Sequence, residues 1–225
     1  MDINQYNNLE LLINEYYEDL KNIKPDRIII QNYPKLLLIS SASQFEHQIK
    51  DYCHNFLCSP NCQLNGYPQI CHLQNVQINK PMTDKMFAKF EAYMDNGSEH
   101  LNAENFYNLF NGALFKTSVQ SHFNSILQQQ KTKISAMLSP LEDLVDQDEE
   151  KYGDEYINYD DLLEKYNNLS FSDAETSYLR LKYKRNLLAH DYLNGILDTF
   201  EDIKSLYSSA LIYVLSVQAA IEDLT

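Results

Sequence analysis

Near the C-terminus, apolar residues fall at Ile203, Tyr207, Ala210, Val214, Val217 and Ile221, in steps of four and three without a break. That spacing puts all six on one stripe of an α-helix, and a stripe so long is the seam of a helix packed lengthwise on others. The same rhythm recurs at Leu38, Ala42, Phe45, Ile49 and Tyr52, and a looser version at Leu9, Leu12, Ile13, Tyr16 and Leu20. Only five glycines and six prolines punctuate 225 residues. Together these features predict an all-α fold, a helical bundle forming a single domain over residues 1–225, with an N-terminal helix within residues 1–24 packed on it.

Helix boundaries follow from breakers and caps. The first helix is predicted from about Ile3 to Asn22, ending before Lys24-Pro25, and the second from near Pro34. Residues 59–81 hold three prolines and a glycine without a sustained period, which predicts a loop-rich insertion. "TDKMFAKFEAYM" and "NAENFYNLFNG" read as short helices, and a longer one follows over roughly Leu114 to Leu138, with Pro140 starting a further acidic helix. Ser172-Asp173-Ala174-Glu175 has the form of a capping box for the next helix, which runs to about His190 before the turn chemistry of Asp191, Asn194 and Gly195. The final helix starts at about Thr199.

The most apolar window, Ala210 to Ile221, is about a dozen residues long where a membrane span needs roughly 20, so it is read as a core helix and no membrane partner is expected. The acidic, polar N-terminus lacks the layout of a signal peptide, and the chain is read as cytoplasmic. Cys53, Cys58, Cys62 and Cys71 are then expected to be reduced thiols. With His54 and His72 they form an irregular set without a C-x-x-C knuckle, so neither a metal nor any other cofactor is expected. His47, His100 and His122 lack a second ligand at helical spacing and are read as surface or satisfied residues.

A net charge of −14 argues against nucleic acid, but its distribution matters more than its sum. Between Glu142 and Asp161 ten acids face one lysine, a stretch read as a solvated face or loop. By contrast, "LRLKYKR" places Arg180, Lys182, Lys184 and Arg185 within six positions, a basic patch on an acidic body that could bind RNA.

The seam of that penultimate helix runs Ala174, Tyr178, Leu181, Arg185, Leu188, with arginine at a core position. A guanidinium there costs several kcal/mol to desolvate unless a carboxylate, a polar group or water meets it. Asn186 and His190 share the neighbouring stripe one turn apart, with Arg185 about 100° from Asn186 and about 140° from His190 on an ideal helix. Two readings fit. In one, Arg185 is a structural arginine paired with an acid such as Glu46, and His190 is an ordinary residue of a helix C-terminus. In the other, Arg185, Asn186 and His190 converge on a ligand.

The hexapeptide "RNLLAH", with an arginine, a following polar residue and a histidine five positions on, resembles the signature of the HEPN superfamily. "YPKLLLISSASQFEHQIKDY", with its Phe45-Glu46 pair, is similar to the early helix of the RiboL-PSP-like branches of that superfamily. The resemblance covers Tyr33 to Tyr52 and Ser172 to the C-terminus. It implies a bundle of HEPN type, a metal-independent endoribonuclease serving as a toxin or defence effector, and a homodimer in which two motifs share one cleft. RNA is the implied substrate, and a co-encoded antitoxin or defence protein a possible partner. The alternative within the family is a non-catalytic bundle that dimerises and binds RNA or protein.

The chemistry needs those residue types. When a 2′-hydroxyl attacks its neighbouring phosphate, a base, an acid and a cation for the crowded phosphorane are required. Histidine titrates near neutral pH and suits proton transfer, arginine grips two phosphate oxygens with its fork, and Asn186 could position a phosphate or hold the imidazole. Glu46 has a supporting role, neutralising or orienting Arg185. One histidine cannot readily be base and acid at once, which is why a dimeric site matters.

Overall fold

The computed structural model describes residues 7–22, 28–57, 113–145, 163–190, 192 and 198–223. All regular elements among them are helical: α1 (Asn7–Asn22), α2 (Ile28–Leu57), α3 (Ala113–Val145), α4 (Phe171–His190) and α5 (Phe200–Glu222), with further helical residues at 163–168. The predicted loop over residues 59–81, the two short helices at 83–94 and 102–112, residues 146–161 of the acidic stretch, and Asp191, Asn194 and Gly195 lie outside the described residues. So do Cys58, Cys62, Cys71, His72 and His100.

α5 is the axis of the bundle. It packs against α2, α3 and α4, while α2 also packs against α1 and α4. All six residues of its stripe are buried, and so is every residue from Ile212 to Gln218, which covers all sides of the helix. Its polar residues are satisfied locally. Ser216 Oγ donates to the Ile212 carbonyl at 2.6 Å, Ser209 to the Ser205 carbonyl at 3.0 Å, and Gln218 to Glu222 at 2.8 Å. The helix starts at a capping box in which Thr199 Oγ1 accepts from the Asp202 amide and the Asp202 carboxylate accepts from the Thr199 amide.

The α2 stripe is buried at Leu38, Ala42, Phe45 and Ile49, with the Phe45 ring stacked 5.7 Å from Tyr207 of α5. α1 reaches the bundle through aromatic contacts. Tyr16 stacks on Phe200 at 3.7 Å, Tyr33 meets Tyr16 edge-on, and the Tyr33 hydroxyl donates to Asp19 at 2.7 Å. The order of contacts shows α2 and α4 to be antiparallel, since Lys35 early in α2 touches Tyr192 beyond the end of α4, whereas Glu46 further along touches Arg185 further back.

Three expected boundaries need correction. α2 does not begin near Pro34 but at Ile28, so the proline lies inside the helix. A helix-interior proline costs about 3 kcal/mol by losing a hydrogen bond to the residue four before it. Burial of Ile30 and Tyr33 in the preceding turn opposes that cost. α3 likewise continues through Pro140 to Val145 without a new start. α4 is opened not by Ser172 but by Ser170, whose hydroxyl accepts from the Asp173 amide at 3.1 Å and whose carbonyl takes the Ala174 amide at 3.1 Å.

Candidate functional site

Arg185 sits on the α4 seam as the spacing predicts, between the buried Leu181 and Leu188. Its side chain escapes the core by turning toward α2, where it is 23% exposed against 14% for Glu46. Nη1 donates to Glu46 Oε2 at 2.5 Å. The other edge of the guanidinium is held by its own neighbour, with Nε and Nη2 donating to Asn186 Oδ1 at 3.2 and 2.9 Å. Three of the five N–H donors of the fork are thereby used, and the charge is met across 139 residues of sequence by a carboxylate.

Asn186 thus turns toward Arg185, a role for which its place on the next stripe gave no signal. The α-helix continues to His190, which is exposed at its last position, one turn beyond Asn186. Asn186 and His190 therefore share a stripe of α4, while Arg185, about 140° from His190 around the helix, turns toward α2. Both helices also carry exposed apolar residues. On α2, Ile29, Leu36 and Ile39 are exposed and fall on the same three-four stripe as Glu46, while Tyr183 and Leu187 are exposed on α4.

The basic run does not form one patch. Alternate positions on a helix point to nearly opposite sides, and the structure separates them accordingly. Arg180 is exposed, Lys182 is only 5% exposed, and Lys184 is partly buried with its ammonium on the Asp198 carboxylate at 2.7 and 2.8 Å. Among these lysines and arginines, Arg180 alone stands open on the surface, so the expected RNA-binding group Arg180, Lys182 and Lys184 is not brought together. Two other histidines have acid partners: His47 meets Asp51 at 3.2 Å and His122 meets Asp223 at 2.7 Å.

Two contacts beside the site had no counterpart in the sequence reading. Lys35 Nζ donates to the Tyr192 carbonyl at 2.8 Å and lies 4.6 Å from the centre of the Tyr192 ring. Asp198, which holds Lys184, stands immediately before the Thr199 cap, and an acid at that place could have been flagged as a partner for α4. Nothing in local periodicity could have paired Lys35 with Tyr192.

A second polar cluster lies away from this site, where residues 163–168 meet α1 and α5. Tyr17 donates to Glu201 at 2.5 Å and accepts from Lys204 at 2.5 Å, while Lys165 donates to the Ser205 carbonyl at 3.0 Å. Burial pushes the Lys165 amine down to about 8, with nearby Lys204 adding to the effect and Glu201 opposing it. Burial and the Glu201 carboxylate raise the Tyr17 phenol. These groups bind helices to one another.

Among the described residues no group of three or more histidines, cysteines or acids could hold a metal ion, and no helix is long and apolar enough to cross a membrane. No family model matches the chain, and neither a curated protein nor a solved structure is significantly similar to it.

Proposed function

We propose that the protein is a metal-independent endoribonuclease of HEPN type, acting as a toxin or defence effector. The observation that carries this reading is a partly exposed arginine held by Glu46 and Asn186, with an exposed histidine one turn beyond that asparagine. An RNA phosphate would displace the Asn186 amide oxygen from the Nε and Nη2 edge, the edge that offers two parallel N–H bonds. Glu46 keeps the guanidinium aimed while that exchange takes place. His190 then transfers a proton at the attacking 2′-oxygen or the departing 5′-oxygen.

A homodimer completes the site in this reading, with His190 of a second copy in the complementary role. The exposed Leu36 and Ile39 on α2 and Tyr183 and Leu187 on α4 supply apolar surface for such an interface. Light scattering at micromolar concentration tests it, and a strict monomer removes the composite site.

One observation favours a second reading, a non-catalytic bundle that binds RNA or a protein partner. The Arg185 charge is already matched by Glu46, as in an arginine kept for architecture. Cleavage assays separate the two. The ribonuclease reading expects products ending in 2′,3′-cyclic phosphate and full activity in chelator. The binding reading expects intact RNA under every condition.

A further inference from the structure

Tyr192 stands two residues beyond His190, so the two Cα atoms are at most about 7 Å apart. It is fixed from several directions. Lys35 holds its backbone carbonyl at 2.8 Å, the same ammonium lies 4.6 Å from the ring centre, and the Tyr192 hydroxyl donates to Asn32 Oδ1 at 3.4 Å. Yet the residue is 46% exposed. A large aromatic side chain gains most when its area is buried, whereas this one is anchored through its polar groups and keeps ring surface in water. Lys35 occupies one face of the ring, and nearly half of the residue's surface stays exposed.

A fixed aromatic face with a cation beside it is suited to one nucleotide of a single strand. The ring accepts a base by stacking, and an ammonium with three donors can reach a phosphate while still holding a carbonyl. We propose that Tyr192 and Lys35 form a nucleotide subsite for single-stranded RNA next to His190, the base lying on the Tyr192 ring and the adjoining phosphate on Lys35. The choice of RNA as ligand rests on the ribonuclease reading above. Recognition here is tolerant of sequence, because every base offers a π-face and neither Tyr192 nor Lys35 reads base edges.

The test uses the full chain carrying His190→Ala, so that the RNA stays intact, and a fluorescein-labelled, unstructured, pyrimidine-rich RNA. Adding Tyr192→Leu should weaken binding by about tenfold, as loss of one stacked base does. Adding Tyr192→Phe should leave it nearly unchanged, because stacking needs the ring and not the hydroxyl. Lys35→Met should weaken binding and flatten its salt dependence by about one counterion. The chain contains no tryptophan, so Tyr192→Trp provides a single reporter whose fluorescence should be quenched as RNA saturates the site. That reporter still decides the matter if Tyr192→Leu fails to fold. Binding insensitive to Tyr192→Leu, absence of quenching, or no RNA binding at all would overturn the subsite. Cleavage that depends on His190 but ignores Tyr192 removes the subsite alone, and Tyr192-dependent binding without cleavage removes only the nuclease.

Discussion

The last two helices, α4 and α5, pack against each other and are similar in length, 20 and 23 residues, yet they differ in the stripe they present to the bundle. α5 offers Ile203, Tyr207, Ala210, Val214, Val217 and Ile221, all buried. α4 follows the same rhythm until Arg185 replaces an apolar residue, and the chain must then supply Glu46 from α2 and Asn186 from the next position to hold it. A bundle can be built with the first kind of stripe alone. The second kind adds a charge whose partners and exposure direct it to the surface.

If α5 is purely architectural, truncation within its stripe should give the largest loss of stability. Ile203→Ala, at a fully buried position, should cost about 2–5 kcal/mol through lost transfer energy and a residual cavity. Urea unfolding should show a lower midpoint at unchanged slope. A cost near zero would mean that α5 is not the centre of the core.

The α4 stripe should respond differently. Arg185→Met alone leaves the Glu46 carboxylate without its guanidinium partner in a site only 14% exposed, and should cost about 1–3 kcal/mol. Adding Glu46→Leu should recover most of that loss, because an apolar pair can replace a poorly hydrated ion pair with little penalty. The double-mutant cycle measures the coupling directly. Additive losses would show that the two side chains act independently.

The starts of the two helices are expected to be alike. Thr199→Ala and Ser170→Ala each remove an oxygen that accepts from an amide three residues on, and each should cost about 1 kcal/mol in thermal or chemical unfolding. A negligible effect of Ser170→Ala, beside a normal one for Thr199→Ala, would put the α4 start back at Ser172.

The pH profile is the subtlest comparison, because opposing groups titrate close together. Lys165, lowered to about 8, has lost a proton that the unfolded chain still binds between about pH 8 and the ordinary lysine range, so stability rises with pH across that window. Tyr33, held up to about 12 by its bond to Asp19 and by burial, and Tyr166, raised to about 12 chiefly by burial, keep protons that the unfolded chain sheds above pH 10. Their contribution is lost as pH rises from about 10 to 12. The thermal midpoint should therefore climb from about pH 8 toward 10 and fall beyond it, and Lys165→Met should remove the climb.

The bundle was legible where apolar spacing carried the information, as at Leu38 to Ile49 and Ile203 to Ile221, because burial of a stripe depends on the stripe alone. Helix ends were less so. Pro34 looked like a start by local rules, and only the packing of Ile30 and Tyr33, contacts made far along the chain, shows why the helix extends before it. At the site, the anomaly of Arg185 and its pairing with Glu46 could be anticipated, since a charge on a seam requires a partner and Glu46 lies beside the opposing one. The turn of Asn186 toward Arg185, the burial of Lys182 and the Lys35–Tyr192 contact depend on rotamers and crossing geometry, which spacing does not encode.

The most direct measurement is RNA cleavage by purified His190→Ala beside the parent protein, both shown to be folded by circular dichroism. His190 is exposed at the end of α4, so its removal should spare the bundle. The parent is expected to cut RNA in chelator to products ending in 2′,3′-cyclic phosphate, and His190→Ala to be slower by about 10²- to 10⁴-fold, the usual worth of a proton-transfer group. Equal rates for the two proteins, or no cutting by the parent across structured and unstructured RNAs, would contradict a catalytic α4 and leave Arg185 as an architectural ion pair.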